Sequence, residues 1–173
     1  MLKISATDYA IQKHILKSAV VLIDTREQEN KHITDYFDKK KIPYRSKKLD
    51  YGDYSLLIPR NEEYGIMTDM QLDFAVERKH SIEELSANLS KDRSRFEYEM
   101  WRGHGKIALL IENGTFDDIL SGNYNTKYAK NSFLATLTTF SLRYDIHVWF
   151  TEKRNTGQII YALLKYKLRE EIK

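Results

Sequence analysis

The 173-residue chain has no cysteine. That excludes disulfides, a thiol nucleophile and Cys-ligated zinc, and it suits a reducing cytoplasm. With two prolines and seven glycines there is little material for a flexible linker, and no low-complexity segment or internal repeat appears. One compact domain is the simplest account. No window holds the roughly 18 apolar residues of a membrane span. The first residues, MLKISATDYAIQKHILKSA, are broken by Lys, Asp, Gln and His and make no signal peptide. A cytoplasmic, soluble protein with no membrane partner is expected. Nor is there a large charge excess: 28 Lys and Arg against 25 Asp and Glu leave a formal +3. This permits a polyanionic partner without requiring one.

What is present alternates between two periods. Residues 6–18 read as weakly helical, with Ile11 and Ile15 on one face, as a covering helix or a loose arm. AVVLID (19–24) is a short apolar run suited to a strand buried on both faces. NKHITDYFDKKK reads as a helix with Ile33 and Phe37 inward and lysines at its C-terminal dipole, stopped by Pro43. YRSKKLDYGDYSLLIP reads as one strand with a turn or bulge at Gly52. RNEEYGIMTDMQ reads as a polar hairpin tip and LDFAVERK as the returning antiparallel strand. IEELSANLSKDRSRFEYEMWR reads as one long helix with Ile82, Leu85, Leu89, Phe96 and Met100 buried. KIALLIE (strand), TFDDIL (short helix), SFLATLTTFSLRY (helix), IHVWFTE (strand, with Trp149 in the core) and TGQIIYALLKYKLREEI (helix) complete the chain. Strands alternating with helices predict an α/β fold with a mixed sheet. The expected division is an N-terminal segment, 1–18, and a domain, 19–173.

The stretch FAVERKHSIEEL (74–85) carries the chemistry. Charges at the end of a buried strand are costly unless they are paired or bind something. Alternation puts Glu77 and Lys79 on one face and Arg78 on the other. Pairing of 49–58 with 72–79 would bring Asp53 near Glu77. Two carboxylates and an ammonium on one surface suit Mg²⁺ or Mn²⁺ with retained waters. Such an ion acidifies a water and polarises a phosphoryl oxygen, as phosphodiester hydrolysis requires. Taken alone, the triplet fits a salt bridge at a strand end better.

The neighbouring motifs are IDTRE (23–27), LDYGDYSL (49–56), VERKHSIEEL (76–85), DRSRFEYEM (92–100) and IALLIE (107–112). In this order they resemble the nuclease domain of the XPF-type, or ERCC-type, structure-specific endonucleases of the PD-(D/E)xK superfamily. The resemblance spans about residues 20–152. It implies a restriction-endonuclease-like fold, a mixed central sheet flanked by helices. It also implies a Mg²⁺- or Mn²⁺-dependent DNA endonuclease acting on flaps, forks or four-way junctions in recombination or repair. Asp53 and Glu77 match the main metal ligands, Lys79 the catalytic lysine, and Asp24 and Glu27 the acidic members of the first motif, with Asp24 a further metal ligand. Arg78 matches the family arginine. Glu83 stands where the family has Asp. Arg95 matches the helix arginine near the cleft. The 24-residue separation of Asp53 and Glu77 is attributed to a polar insertion at 60–71.

The expected DNA contacts are Arg26, Lys47, Lys48, Arg93 and Arg95. The basic run KKKIPYRSKK (39–48) reads equally as a phosphate contact or as a solvated edge. Larger family members carry helix-hairpin-helix modules or a helicase. The resemblance is to a minimal form, of the kind a phage or bacterium would use. Branch recognition would then come from a homodimer, from a partner protein or from the nuclease surface. SFLATLTTF and IIYALLKY are candidate dimer segments, and core packing explains them equally well. Two other readings stay open: a non-catalytic DNA-binding scaffold subunit, and a nuclease without branch preference.

Overall fold

The structure is a computed structural model and describes residues 9–172. The described residues group into two compact units, one formed by 9–49, 53–75 and 157–172, the other by 50–52 and 76–156. Both units combine sheet and helix, so the predicted mixed α/β class is the one observed.

The first unit opens with α1 (Tyr9–Ser18); the start expected at residues 6–8 lies outside the described residues. Ile15 anchors α1 at zero exposure. Strand β1 (Val20–Ile23) is apolar throughout and buried from Val21 on. Helix α2 (Lys31–Lys40) buries Ile33 and Phe37, four apart, completely. It ends at Lys41, whose φ of 55° lets its N–H return to the Asp38 carbonyl.

The predicted single strand over 44–59 is two strands. β2 (Tyr44–Ser46) pairs parallel to β1, and β3 (Tyr54–Ile58) pairs antiparallel to it. One chain segment cannot lie on both sides of β1 without reversing. The reversal is made at 47–53, where Gly52 takes a φ of 68°, open to glycine at little cost. The polar tip closes with an Asn61–Ile66 bridge and a 3₁₀ turn at Glu62–Tyr64. The returning strand is also interrupted. β4 (Met70–Gln71) pairs antiparallel to β3, and β5 (Ala75–Lys79) begins three residues later. In the gap, the buried Ser55 hydroxyl donates to the Leu72 and Phe74 carbonyls, satisfying backbone that the ladder leaves out. Helix α7 (Thr156–Glu171) presents Ile160, Leu164 and Leu168 to this unit's core, each fully buried.

In the second unit the strand order is β5, β6 (Ile107–Glu112), β7 (His147–Thr151), with β6 and β7 parallel. The predicted long helix is two helices, α3 (Ile82–Ser90) and α4 (Arg93–Arg102). The break falls where Asp92 N–H bonds to Ala87 O, five residues back, so the i−4 ladder loses register. All five expected positions, Ile82, Leu85, Leu89, Phe96 and Met100, are buried. They share one apolar cluster with Phe133, Leu137 and Phe140 of α6 (Lys130–Tyr144) and Ile119 of α5 (Phe116–Ser121). Trp149 is not core; it is 45% exposed. β7 closes the strand order, so only β6 flanks it, and its residues are exposed or half-buried.

Candidate active site

The first unit holds the IDTRE motif and Asp53 and Tyr54 of the GDY motif. Asp24 follows β1 directly, and its carboxylate is buried and fully engaged. Oδ1 accepts from the Arg26 backbone N–H at 2.9 Å and from Arg26 Nε at 2.6 Å. Oδ2 accepts from Leu49 N–H at 2.6 Å and Arg26 Nη2 at 3.2 Å. Burial pushes this carboxyl's pKa up. The Arg26 guanidinium and the Leu49 and Arg26 amides outweigh that effect, and the result lies below the ordinary carboxylate value. The Asp24 N–H also donates to the Asp53 carbonyl at 2.8 Å. Asp24 thus brackets the 49–53 turn from both ends, with its side chain on Leu49 and its backbone on Asp53. Asp53 itself is half-buried, one residue before β3. Glu27 is half-buried, and its N–H bonds to the Asp24 carbonyl.

The second unit holds the VERK motif. All of β5 is buried, the three charges included. Burial of charge without a partner costs several kcal/mol, on the order of what a domain can spare. Each charge here has a partner. Lys79 Nζ lies 2.6 Å from Glu77 Oε1, 3.8 Å from Glu84 Oε1 and 5.0 Å from the centre of the Phe96 ring. Arg78 turns to the opposite side, 3.3 Å from Glu112 Oε1 at the end of β6 and 2.8 Å from His80 Nδ1. The alternation expected of a strand is therefore realised atom by atom.

Glu77 Oε2 is buried and has no hydrogen-bond partner among the described residues. A carboxylate with one oxygen on an ammonium and the other bare is suited to a cation or a water. Among the described residues no three His, Cys, Asp or Glu side chains come close enough to hold a metal by themselves. The donors proposed from the motifs are carboxylates, since cysteine is absent and His80 is turned to Arg78. Such a set fits a hard cation that keeps several waters rather than an all-protein cage.

Glu83 has a structural task. It sits in the first turn of α3 and accepts the Asn125 N–H at 3.0 Å, tying down loop 122–129. Glu84 went unremarked in the sequence, although Ser81-Ile-Glu-Glu84 spells a capping box. Ser81 Oγ accepts from Glu84 N–H, and Glu84 Oε2 accepts from His80 N–H at 2.7 Å. This fixes the backbone immediately after Lys79. Of the expected DNA contacts, Arg26 is half-exposed beside Asp24, Lys47 donates to Gln71 at 2.9 Å, and Lys48 is exposed. Arg93 covers the Phe140 ring at 5.4 Å, and Arg95 is exposed two residues further on.

The pattern of motifs is matched by a family model. Residues 23–163 match the ERCC4 domain. The chain belongs to the ERCC4-domain family. The ERCC4 match begins at Ile23, just before Asp24, and contains every residue of both motif groups. The fold is likewise similar to that of XPF from Aeropyrum pernix, with 20% identity and a TM-score of 0.61. A second structure, of XPF from Aeropyrum pernix in complex with DNA, matches at 18% identity and a TM-score of 0.61. Each match covers 87% of this chain, and the chain spans 65% and 66% of the respective lengths of those structures. No protein of curated function matches the chain. No helix among the described residues is long and apolar enough to cross a membrane.

Proposed function

We propose that this ERCC4 domain is a metal-dependent DNA endonuclease. The observation that carries the reading is the buried Glu77–Lys79 pair with its second carboxylate oxygen left without a hydrogen-bond partner. Glu112 Oε2 is likewise without a hydrogen-bond partner among the described residues, so what singles out Glu77 is that its bare oxygen lies beside the motif lysine at the end of β5. Glu77 would hold Mg²⁺ or Mn²⁺, and the motif resemblance assigns a metal-ligand role to Asp53 as well. A divalent ion bound there supplies Lewis acidity toward a water and a phosphoryl oxygen.

The chain's own residues do the rest. Lys79 pairs with Glu77 and offers its ammonium protons to a water or to the phosphate charge. Glu84 and Phe96 hold that ammonium in place. Asp24 holds the Asp53 turn, and with both its oxygens occupied its contribution is to position Asp53; Glu27 lines the same motif. Arg78 and Glu112 brace β5 from the other side. Water adds to phosphorus, the P–O bond to the leaving nucleoside breaks, and the departing oxygen takes a proton. Arg26, Lys48, Arg93 and Arg95 would contact phosphates.

Branched DNA in recombination or repair is the substrate class this reading favours, with a homodimer as the active form. The apolar face of α7 is already spent on Ile160, Leu164 and Leu168, whereas Leu142 on α6 is 81% exposed beside Trp149. Self-association would therefore use α6 and β7. The test is cleavage of labelled single strand, duplex, flap, fork and four-way junction with Mg²⁺, Mn²⁺ or EDTA. Metal-dependent cutting of branched DNA, lost in Asp53→Ala and Glu77→Ala, supports the proposal. Binding without cutting in either metal would make the chain a scaffold subunit.

A further inference from the structure

The first unit carries a groove of about 780 Å³ between α1, the end of α2 and the last turns of α7. Six cations line it: Lys13, Lys17, Lys40, Lys41, Lys165 and Arg169. Four tyrosines line it as well: Tyr9, Tyr36, Tyr161 and Tyr166. Among the described residues no acidic side chain does. We infer that this groove binds a single strand of DNA, through phosphates on the lysines and bases stacked on the tyrosines.

The argument begins with the construction of the groove. Ile15 buries one face of α1 and so fixes the direction of the other. Lys13 and Lys17 are four residues apart, share that other face and are exposed. Lys40 ends α2, where a helix dipole favours a cation, and Lys41 follows it. The dipole accounts for Lys40 but not for the four further cations brought to the same groove from α1 and α7. Collecting like charges opposes folding. A polyanion offsets that repulsion and gains entropy from the counterions it releases.

The tyrosines decide which polyanion. Tyr9 is 78% exposed and Tyr166 55%, so large ring areas face water. Lys165 stands 5.6 Å from the Tyr161 ring, and the Arg169 guanidinium 5.1 Å from the Tyr166 ring. Cations interleaved with accessible rings are the arrangement by which unpaired bases are bound without sequence preference. A duplex presents phosphates but keeps its base faces stacked, so it would use the lysines and leave the rings idle. An acidic peptide would do the same.

Six of these ten side chains (Tyr9, Lys13, Lys17, Lys165, Tyr166 and Arg169) lie outside residues 23–163, the span of the family match. The groove is thus built largely from segments that flank the ERCC4 domain. The inference is separate from the cleavage reading, since binding is measured in EDTA without turnover.

The experiment is fluorescence anisotropy of the full chain with labelled oligo(dT) of about 15 nucleotides, near the upper site size of single-strand binding folds. A duplex of equal length and polyglutamate serve as competitors. Binding should weaken with salt, and Lys13→Gln/Lys17→Gln should flatten the log–log slope by about 1.4 for the two lost phosphate contacts. Tyr9→Leu/Tyr166→Leu should weaken oligo(dT) about fivefold or more at unchanged slope. All four substituted side chains are exposed, so circular dichroism should be unaltered. An oligo(dT) carrying 5-iododeoxyuridine should cross-link to Tyr9 or Tyr166. Wild-type affinity in both variants overturns the inference. So does a duplex that competes as well as the single strand. Displacement by polyglutamate at equal charge concentration would instead assign the groove to an acidic protein. Loss of cleavage with binding intact would refute the nuclease reading alone.

Discussion

Replacing Glu112 by glutamine should destabilise the fold severely, although the shape barely changes. Arg78 and Glu112 are 0% and 1% exposed and 3.3 Å apart. At an effective dielectric of 20, two unit charges at that separation attract by about 5 kcal/mol. Glutamine removes that attraction and leaves a guanidinium that the protein interior must still accommodate. Breaking a buried pair from one side costs about 3–5 kcal/mol. Against a typical stability of about 5–15 kcal/mol, this is about a fifth of the total or more. In a chain of this size it corresponds to a fall in Tm of about 6–20 °C. Urea unfolding followed by circular dichroism should show a lower midpoint with an unchanged m-value. Removing both charges, in Arg78→Met/Glu112→Leu, should restore most of the loss, because neither group is then left alone. If Glu112→Gln costs less than about 1 kcal/mol, the pair is not dry and this account of β5 is wrong. If the double variant is no better than the single, the cost lies elsewhere than in the broken Arg78–Glu112 pair.

Other outcomes follow from local features. Ser81→Ala should cost about 1 kcal/mol by opening the α3 cap, read by thermal unfolding. Gly157→Ala should destabilise by about 1–3 kcal/mol despite the gain in helix propensity, since a Cβ there would meet Tyr36 Cβ at 2.9 Å and Cγ at 3.1 Å; a rise in Tm would refute this. The Asn125 N–H holds the Glu83 carboxyl below its ordinary value of 4.5. A depressed pKa means the group stabilises the fold above the unfolded value and stops doing so as pH falls through the folded one. The protection factor of the Asn125 N–H, its exchange relative to the intrinsic rate at each pH, should therefore fall as the pH drops below about 4.5, and Glu83→Gln should remove that dependence.

The sequence made the apolar framework and the charged motifs readable for different reasons. Val21, Leu22, Ile33 and Phe37 announce their burial by type and period, and all four are fully buried. The Asp-x-Arg-Glu and Glu-Arg-Lys motifs were readable as an ordered set, and alternation along β5 separated Arg78 from its neighbours. The break between α3 and α4 was invisible because the apolar spacing Leu85, Leu89, Phe96, Met100 runs through it in phase. Only the backbone bond from Asp92 to Ala87 reveals it. Trp149 misled because IHVWF has the composition of a buried strand. Whether a strand has one neighbour or two is a property of the sheet, not of the segment. The groove beside α1 escaped notice because its cations come from three separate stretches, each of which alone looks like a solvated face.

The charges of β5 also act as a register lock. In an apolar strand, sliding by one residue exchanges one buried hydrocarbon for another. In β5 the same slide would carry Arg78 toward the side that holds Glu84 and Phe96 and present Glu77 and Lys79 to Glu112. Arg78 would then be parted from Glu112, Lys79 from Glu84 and the Phe96 ring, and Glu77 would be turned toward another buried carboxylate, with only the strand-internal Glu77–Lys79 contact kept. Misaligned pairings of this strand are therefore penalised before any substrate is met. The residues proposed for chemistry would thus also select, during folding, the one alignment in which that chemistry is assembled.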